Sequence, residues 1–149
     1  MKRRALLVGL LASALAATAF AAERQLVLVA AQGSAVTTLA PAEVRKLFLG
    51  GAVEVNGQRL EPLVNASDEL LHEVFLQKVV FMAARSYDRH VLGLVFRSGG
   101  HRPARYTSTE ELVQALAREP RAVTYMWADQ ARRLRGVKIV QELWHGRLD

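Results

Sequence analysis

Arg89, Arg97, Arg102 and Arg105 fall in one interval that also holds His101 and, from position 89 to Thr109, not a single carboxylate. Guanidinium forks match a phosphate or carboxylate bidentately, and Gly99-Gly100 lets a ligand come close to the backbone. The interval therefore has the chemistry of an anion receptor, with a solvated charged loop as the plainer alternative. A second basic group, Arg132, Arg133, Arg135 and Lys138, reads as the solvent side of a short helix. His72-Glu73 begins like a zinc-protease motif, but Leu76 stands four residues after His72, so the second ligand is missing and His72 is expected to be a half-exposed helix residue.

The serine contexts at Ser34, Ser86 and Ser98 lack both the nucleophile elbow and a base at a recognisable spacing. Neither of the glycine-rich nucleotide-binding signatures occurs. With no cysteine and only four scattered histidines, structural disulfides, thiolate metal sites and a cysteine nucleophile are excluded. The chain is read as non-catalytic, without metal or cofactor.

Such side chains need a scaffold, and the hydrophobic pattern outlines one. Residues 25–31 are almost wholly apolar and β-rich, as a strand covered on both faces would be. The polar turn Gln32-Gly33-Ser34 follows, and Pro41 then opens a helix that aligns Val44, Leu47 and Phe48 before Gly50-Gly51 stops it. Asn56-Gly57 marks a hairpin between residues 53–55 and 58–60, and a strand continues over 60–64. From Ser67, Leu70, Leu71, Val74, Phe75 and Val79 describe one helical face. A break near Arg85-Ser86 precedes a second helix that aligns Tyr87, Val91, Leu94 and Val95.

Residues 97–107 read as a loop, and Ser108 with Glu111 forms a capping box for a helix that Pro120 ends. Strands over 122–126 and 137–140 flank the basic helix of residues 128–135, and Trp127 and Trp144 are read as packing residues. Strands alternate with helices, which points to an α/β layer fold around one mainly parallel or mixed sheet.

Met1 to Arg4 carries three positive side chains, and the apolar stretch of about 16 residues after it ends in Ala19-Phe20-Ala21. This is shorter than the roughly 20 residues that span a bilayer and closes on an A-x-A cleavage site. A signal peptide over residues 1–21 and one domain over 22–149 are expected, with a periplasmic, soluble mature protein and no stable membrane insertion. Lys2, Arg3 and Arg4 supply three of the 20 basic residues, so against 14 acidic ones the mature chain keeps only about +3, too little to indicate nucleic acid.

Thr38 to Gly50, which reads Thr-Leu-Ala-Pro-Ala-Glu-Val-Arg-Lys-Leu-Phe-Leu-Gly, resembles a segment of phosphate ABC transporter substrate-binding proteins. Asn56 to Asn65, Phe75, Phe96 to Gly100 with Pro103, and Arg118 to Tyr125 continue that resemblance in order. It implies a three-layer αβα domain of the type 2 periplasmic-binding-protein kind, with a mixed sheet and a single lobe. The ligand contacts it implies, together with the arginines read above, are Ser34, Ser67, Arg97, Arg102 and Arg105.

Two features separate the chain from that family. Where the family opens a helix with Ser-Gly-Thr to hold phosphate, this chain has Ser67-Asp68-Glu69, and two carboxylates face the oxyanion at the helix terminus. About 128 mature residues also make one lobe, so a ligand would lack its opposing wall. Two functions follow as expectations. One is a periplasmic binder of phosphate or another small anion, weak and associated with ABC-type transport; the other is a single-lobe module that docks on a protein partner. Mass spectrometry of the exported protein should find Ala22 as the first residue, and retention of residues 1–21 in a membrane fraction would overturn this assignment.

Overall fold

Strand β1 (Glu23–Ala31) is buried from Leu26 to Ala30, Leu26, Leu28 and Ala30 facing one side of a sheet and Val27 and Val29 the other. The computed structural model describes residues 23–98 and 102–148. Residues 1–21, the expected signal peptide, and the Gly99-Gly100-His101 part of the basic interval lie outside the described residues. Helix α1 (Pro41–Phe48) has proline at its first turn, where no amide partner is needed, and buries Val44, Leu47 and Phe48. Gly50, at φ 93°, turns the chain away from it.

Strands β2 (Glu54–Val55) and β3 (Gln58–Arg59) form the expected hairpin, with Asn56 and Gly57 at φ 52° and 76°. Two successive positive φ angles are what a tight turn matched to strand twist requires. There follow β4 (Glu61–Asn65), α2 (Glu69–Phe75) running directly into a π-helical turn at Leu76–Val80, and α3 (Ala84–Ser98). The remainder is β5 (Ala104–Tyr106), α4 (Thr109–Arg118), β6 (Ala122–Trp127), α5 (Ala128–Arg133) and β7 (Val137–Arg147).

The main sheet is mixed, in the order β5-β4-β6-β1-β7, with β4 parallel to β5 and β6 while β1 runs antiparallel to β6 and β7. Against one face pack α1, α2 and the start of α3 through Val44, Phe48, Leu71, Phe75, Tyr87 and Val91; against the other pack α4 and α5 through Leu112, Leu116 and Ala131. The domain is thus α/β in three layers, helices on both faces of a mixed sheet, as the sequence predicts.

Several local expectations are corrected. The break after α2 falls at Phe81, at φ 62°, and not at Arg85-Ser86, which already lie inside α3. Leu70 and Val95 are exposed at 44% and 39%, so each lies off the buried face assigned to it. The interval read as a loop contributes the last turn of α3 and all of β5, a three-residue strand held by its pairing with β4. Strand β7 continues seven residues beyond Val140, with register shifts against β1 that change which side chains face the core.

Phe75 is at the centre of the larger core, its ring stacked on Tyr125 at 3.6 Å between centroids and set edge-on to Phe48 at 4.8 Å. Phe75→Ala leaves a cavity that these buried rings cannot fill, and denaturant melts should show a loss of about 3–5 kcal/mol. A loss under about 1 kcal/mol would contradict this packing.

Candidate functional site

The parallel strands β4, β5 and β6 end on the same edge of the domain, each followed by a helix, and in open α/β sheets such edges are where ligands meet the protein. Strands β4 and β6 are in register only at Glu61/Ala122 and Pro62/Val123. Beyond that point side chains span the gap: Thr124 Oγ1 donates to the Leu63 carbonyl at 2.8 Å and Asn65 Nδ2 to the Tyr125 carbonyl at 2.8 Å. The other end of the Asn65 amide accepts from the Ser67 backbone N–H at 3.1 Å and from Ser67 Oγ at 2.6 Å.

Asp68 then takes the place at the start of α2 that an external oxyanion would need. One carboxylate oxygen accepts from Leu71 N at 3.1 Å, capping the helix, and the other accepts from Trp127 Nε1 at 3.0 Å. The Arg24 guanidinium lies 4.0 Å over the Trp127 ring. The helix terminus is therefore already supplied with an internal anion.

A separate cleft of about 280 Å³ opens between α3 and the β4–β5 edge, with Val64, Val91, Pro103 and Ala104 as apolar walls and Tyr87, Asp88, Arg102 and Arg105 as polar ones. Arg105 is registered against Val64 on the neighbouring strand, which is what carries its side chain to this edge. Arg102 and Arg105 are exposed, and among the described residues neither is in an ion pair.

Beneath the cleft lies a buried polar group that the sequence does not reveal. His72 is 7% exposed, not half-exposed, and its Nδ1 shares a 2.7 Å hydrogen bond with the Tyr125 hydroxyl. Burial, with Arg105 adding to it and Asp88 opposing it, lowers the His72 pKa to about 4. Burial and the nearby Asp88 carboxylate raise Tyr87 to about 12, and burial holds Tyr125 well above the ordinary phenol range. Both phenols stay protonated; the Tyr87 hydroxyl donates to the Phe48 carbonyl at 2.8 Å.

The structure brings only some of the five expected contacts together. Arg102 and Arg105 share the cleft, and Ser67 lies near the end of β4 beside the Asn65–Asp68 network. Arg97, in the last turn of α3, does not line the cleft; its Nε donates to the Gly93 carbonyl at 3.4 Å. Ser34 lies at the other end of the sheet, buried, donating to the Pro120 carbonyl at 2.8 Å and accepting from Val36 N at 3.1 Å, with Lys138 Nζ on its own carbonyl. Asp88 was hidden by its place just outside the carboxylate-free interval, although its position three residues before Val91 sets it on the same side of α3. Arg132 and Arg133 are exposed on α5, the latter 3.6 Å from Asp129, as a solvent-facing helix requires.

Among the described residues there is no group of three or more His, Asp or Glu side chains able to hold a metal ion, and no helix is long and apolar enough to cross a membrane. No family model matches the sequence, and no curated protein matches it. Similar solved structures do exist. PstS from Borrelia burgdorferi aligns with a TM-score of 0.57 at 11% identity, over 80% of this chain and 47% of that one. An ABC-type phosphate transport receptor from Vibrio cholerae aligns with a TM-score of 0.49 at 14% identity, over 80% and 46%. The chain thus spans about half the length of these proteins, and its fold is that of one lobe of a periplasmic-binding-protein-like structure.

The folded protein keeps His72 neutral where the unfolded chain would protonate it. As pH falls from 6.5 towards 4 the unfolded state takes up a proton that the folded state refuses, so stability drops through that window and not above it. His72→Gln, which can still bond to Tyr125, should remove this component, on the order of 1–3 kcal/mol, from the difference between urea midpoints at pH 7 and pH 4. An unchanged difference would contradict the assignment.

Proposed function

We propose that the chain is an exported, non-catalytic solute-binding module of the periplasm that takes a small anion in the cleft between α3 and β5 and works alongside an ABC-type transporter. The observation that carries this reading is the pair Arg102 and Arg105, two guanidinium groups that have no ionic partner among the described residues and line one cleft with apolar walls. The likeness of fold to PstS and the sequence resemblance to phosphate-binding proteins support it. The anion is received away from the start of α2, because the Asp68 carboxylate occupies that terminus and would repel a second negative charge.

That same closure favours a second reading, a single-lobe module without a ligand that docks on a protein. Titration calorimetry of the mature protein with phosphate, sulfate and molybdate separates the two. The cleft should bind at least one of these with a Kd weaker than about 10 μM, and affinity should fall steeply with salt because exposed charges are screened over about 8 Å at physiological ionic strength. Arg102→Ala or Arg105→Ala should weaken binding about tenfold or more, while Arg97→Ala should leave it unchanged. Nanomolar, salt-insensitive binding would refute the cleft. No binding, even after Asp68→Gly with Glu69→Thr, would put the docking module in its place.

A further inference from the structure

The cleft that holds Arg102 and Arg105 also holds a carboxylate. Asp88 lines it from α3, and the two arginines line it from β5 and the residues just before it. Elsewhere in the domain opposite charges pair with one another: Arg121 with Glu119 at 3.0 Å, Arg133 with Asp129 at 3.6 Å and Arg24 with the same Asp129 at 4.0 Å. In the cleft they do not. Among the described residues Asp88, Arg102 and Arg105 make neither an ion pair nor a side-chain hydrogen bond with each other.

The two signs nonetheless bear on one small region. Arg105 and Asp88 act on both His72 and Tyr87, and on each group they act in opposite directions. The rest of the lining is largely apolar, with Val64, Val91 and Pro103 buried. The Tyr87 hydroxyl is committed to the Phe48 carbonyl and offers the ligand no donor.

A plain anion seated on the arginines would meet Asp88 and gain nothing from it. A solute that carries both an anionic group and an ammonium satisfies all three side chains, and its apolar carbons cover the Val64–Val91–Pro103 wall. We infer that the cleft receives a dipolar solute of the amino-acid class, its carboxylate on Arg102 and Arg105 and its ammonium on Asp88. This rests on the anion-binding reading of the cleft and adds the second charge to it. Charge-assisted hydrogen bonds of this kind are strong enough to separate two ligands that differ only in an amine.

The test is calorimetry of the mature protein at low salt with two amino acids of different charge separation, leucine and ε-aminocaproate, each against the carboxylate that lacks the nitrogen, isocaproate and caproate, with inorganic phosphate as a reference. At least one amino acid should bind about tenfold or more tightly than its deaminated partner. Asp88→Asn, an exposed change on α3, should abolish that ratio by weakening the amino acid and strengthening the plain carboxylate. Arg105→Ala should weaken both. If phosphate or the carboxylates bind but neither amino acid gains on its partner, or if Asp88→Asn leaves the ratio as it was, the dipolar assignment falls and the anion reading stands. If none of the five solutes binds, the dipolar assignment falls, and the anion reading falls with it when sulfate and molybdate also fail to bind.

Discussion

The edge of the domain is governed by the parting of β4 from β6. Strand β6 is buried along its whole length, so where β4 turns away the Leu63 and Tyr125 carbonyls face a dry gap, and a buried polar group without a partner costs about 1–3 kcal/mol. Thr124 and Asn65 close that gap with their side chains. Asn65 has used its amide nitrogen on Tyr125, and its amide oxygen then gathers the amide and hydroxyl of Ser67. The chain is thereby delivered to Asp68 in an extended conformation, the geometry that lets a carboxylate cap α2 and reach Trp127. A repair inside the sheet thus decides what occupies the helix terminus.

Closure of that terminus is the reason the proposed recognition falls at the side of the domain. The start of a helix attracts anions through its unpaired amides and its dipole, and Asp68 answers both from within the chain. Among the described residues, the unpaired cations lining the cleft are Arg102 and the Arg105 of β5, because β5 pairs with β4 and so sets Arg105 beside Val64. The buried pair of His72 and Tyr125 sits behind them and holds no charge at neutral pH, so the floor of the cleft neither neutralises Arg105 nor competes with a ligand.

Features set by adjacent residues were legible in the sequence. Pro41 and Gly50 bracket α1, Asn56-Gly57 makes the hairpin, and Ser108 caps α4 by accepting from Glu111 N at 3.3 Å, each through chemistry contained within a few positions. The unbroken apolar run of β1 placed Val27 and Val29 in the core, and the helical spacing did so for Leu71, Val74 and Phe75. Features set at a distance were not legible. Strand β5 is three residues of no distinctive pattern that become a strand only because β4 is there to pair with. The burial of His72 depends on Tyr125, 53 positions away, and Asp68 reads as a repelling charge until Trp127, 59 positions on, appears as its hydrogen-bond donor. Of the expected site, Arg102 and Arg105 were placed together because the interval's charge is visible as composition, while Asp88, one residue outside it, was passed over for the same reason.

An exposed cleft must reach selectivity by other means than enclosure. Water reaches the exposed Arg102 and Arg105, and a contact in that setting is worth a fraction of what it is worth in a dry site. Attraction of one sign alone would therefore admit any small anion, weakly and to an extent fixed by salt. A carboxylate set against two guanidinium groups alters this, because a ligand of the wrong polarity is repelled by one side as it is drawn to the other, and the penalty discriminates even where each contact is screened. On the proposed reading, the arrangement of opposite charges along an apolar wall supplies the selectivity that enclosure supplies in a two-lobed binder, and it does so on a surface held in shape by β4 and β5 and not by the ligand.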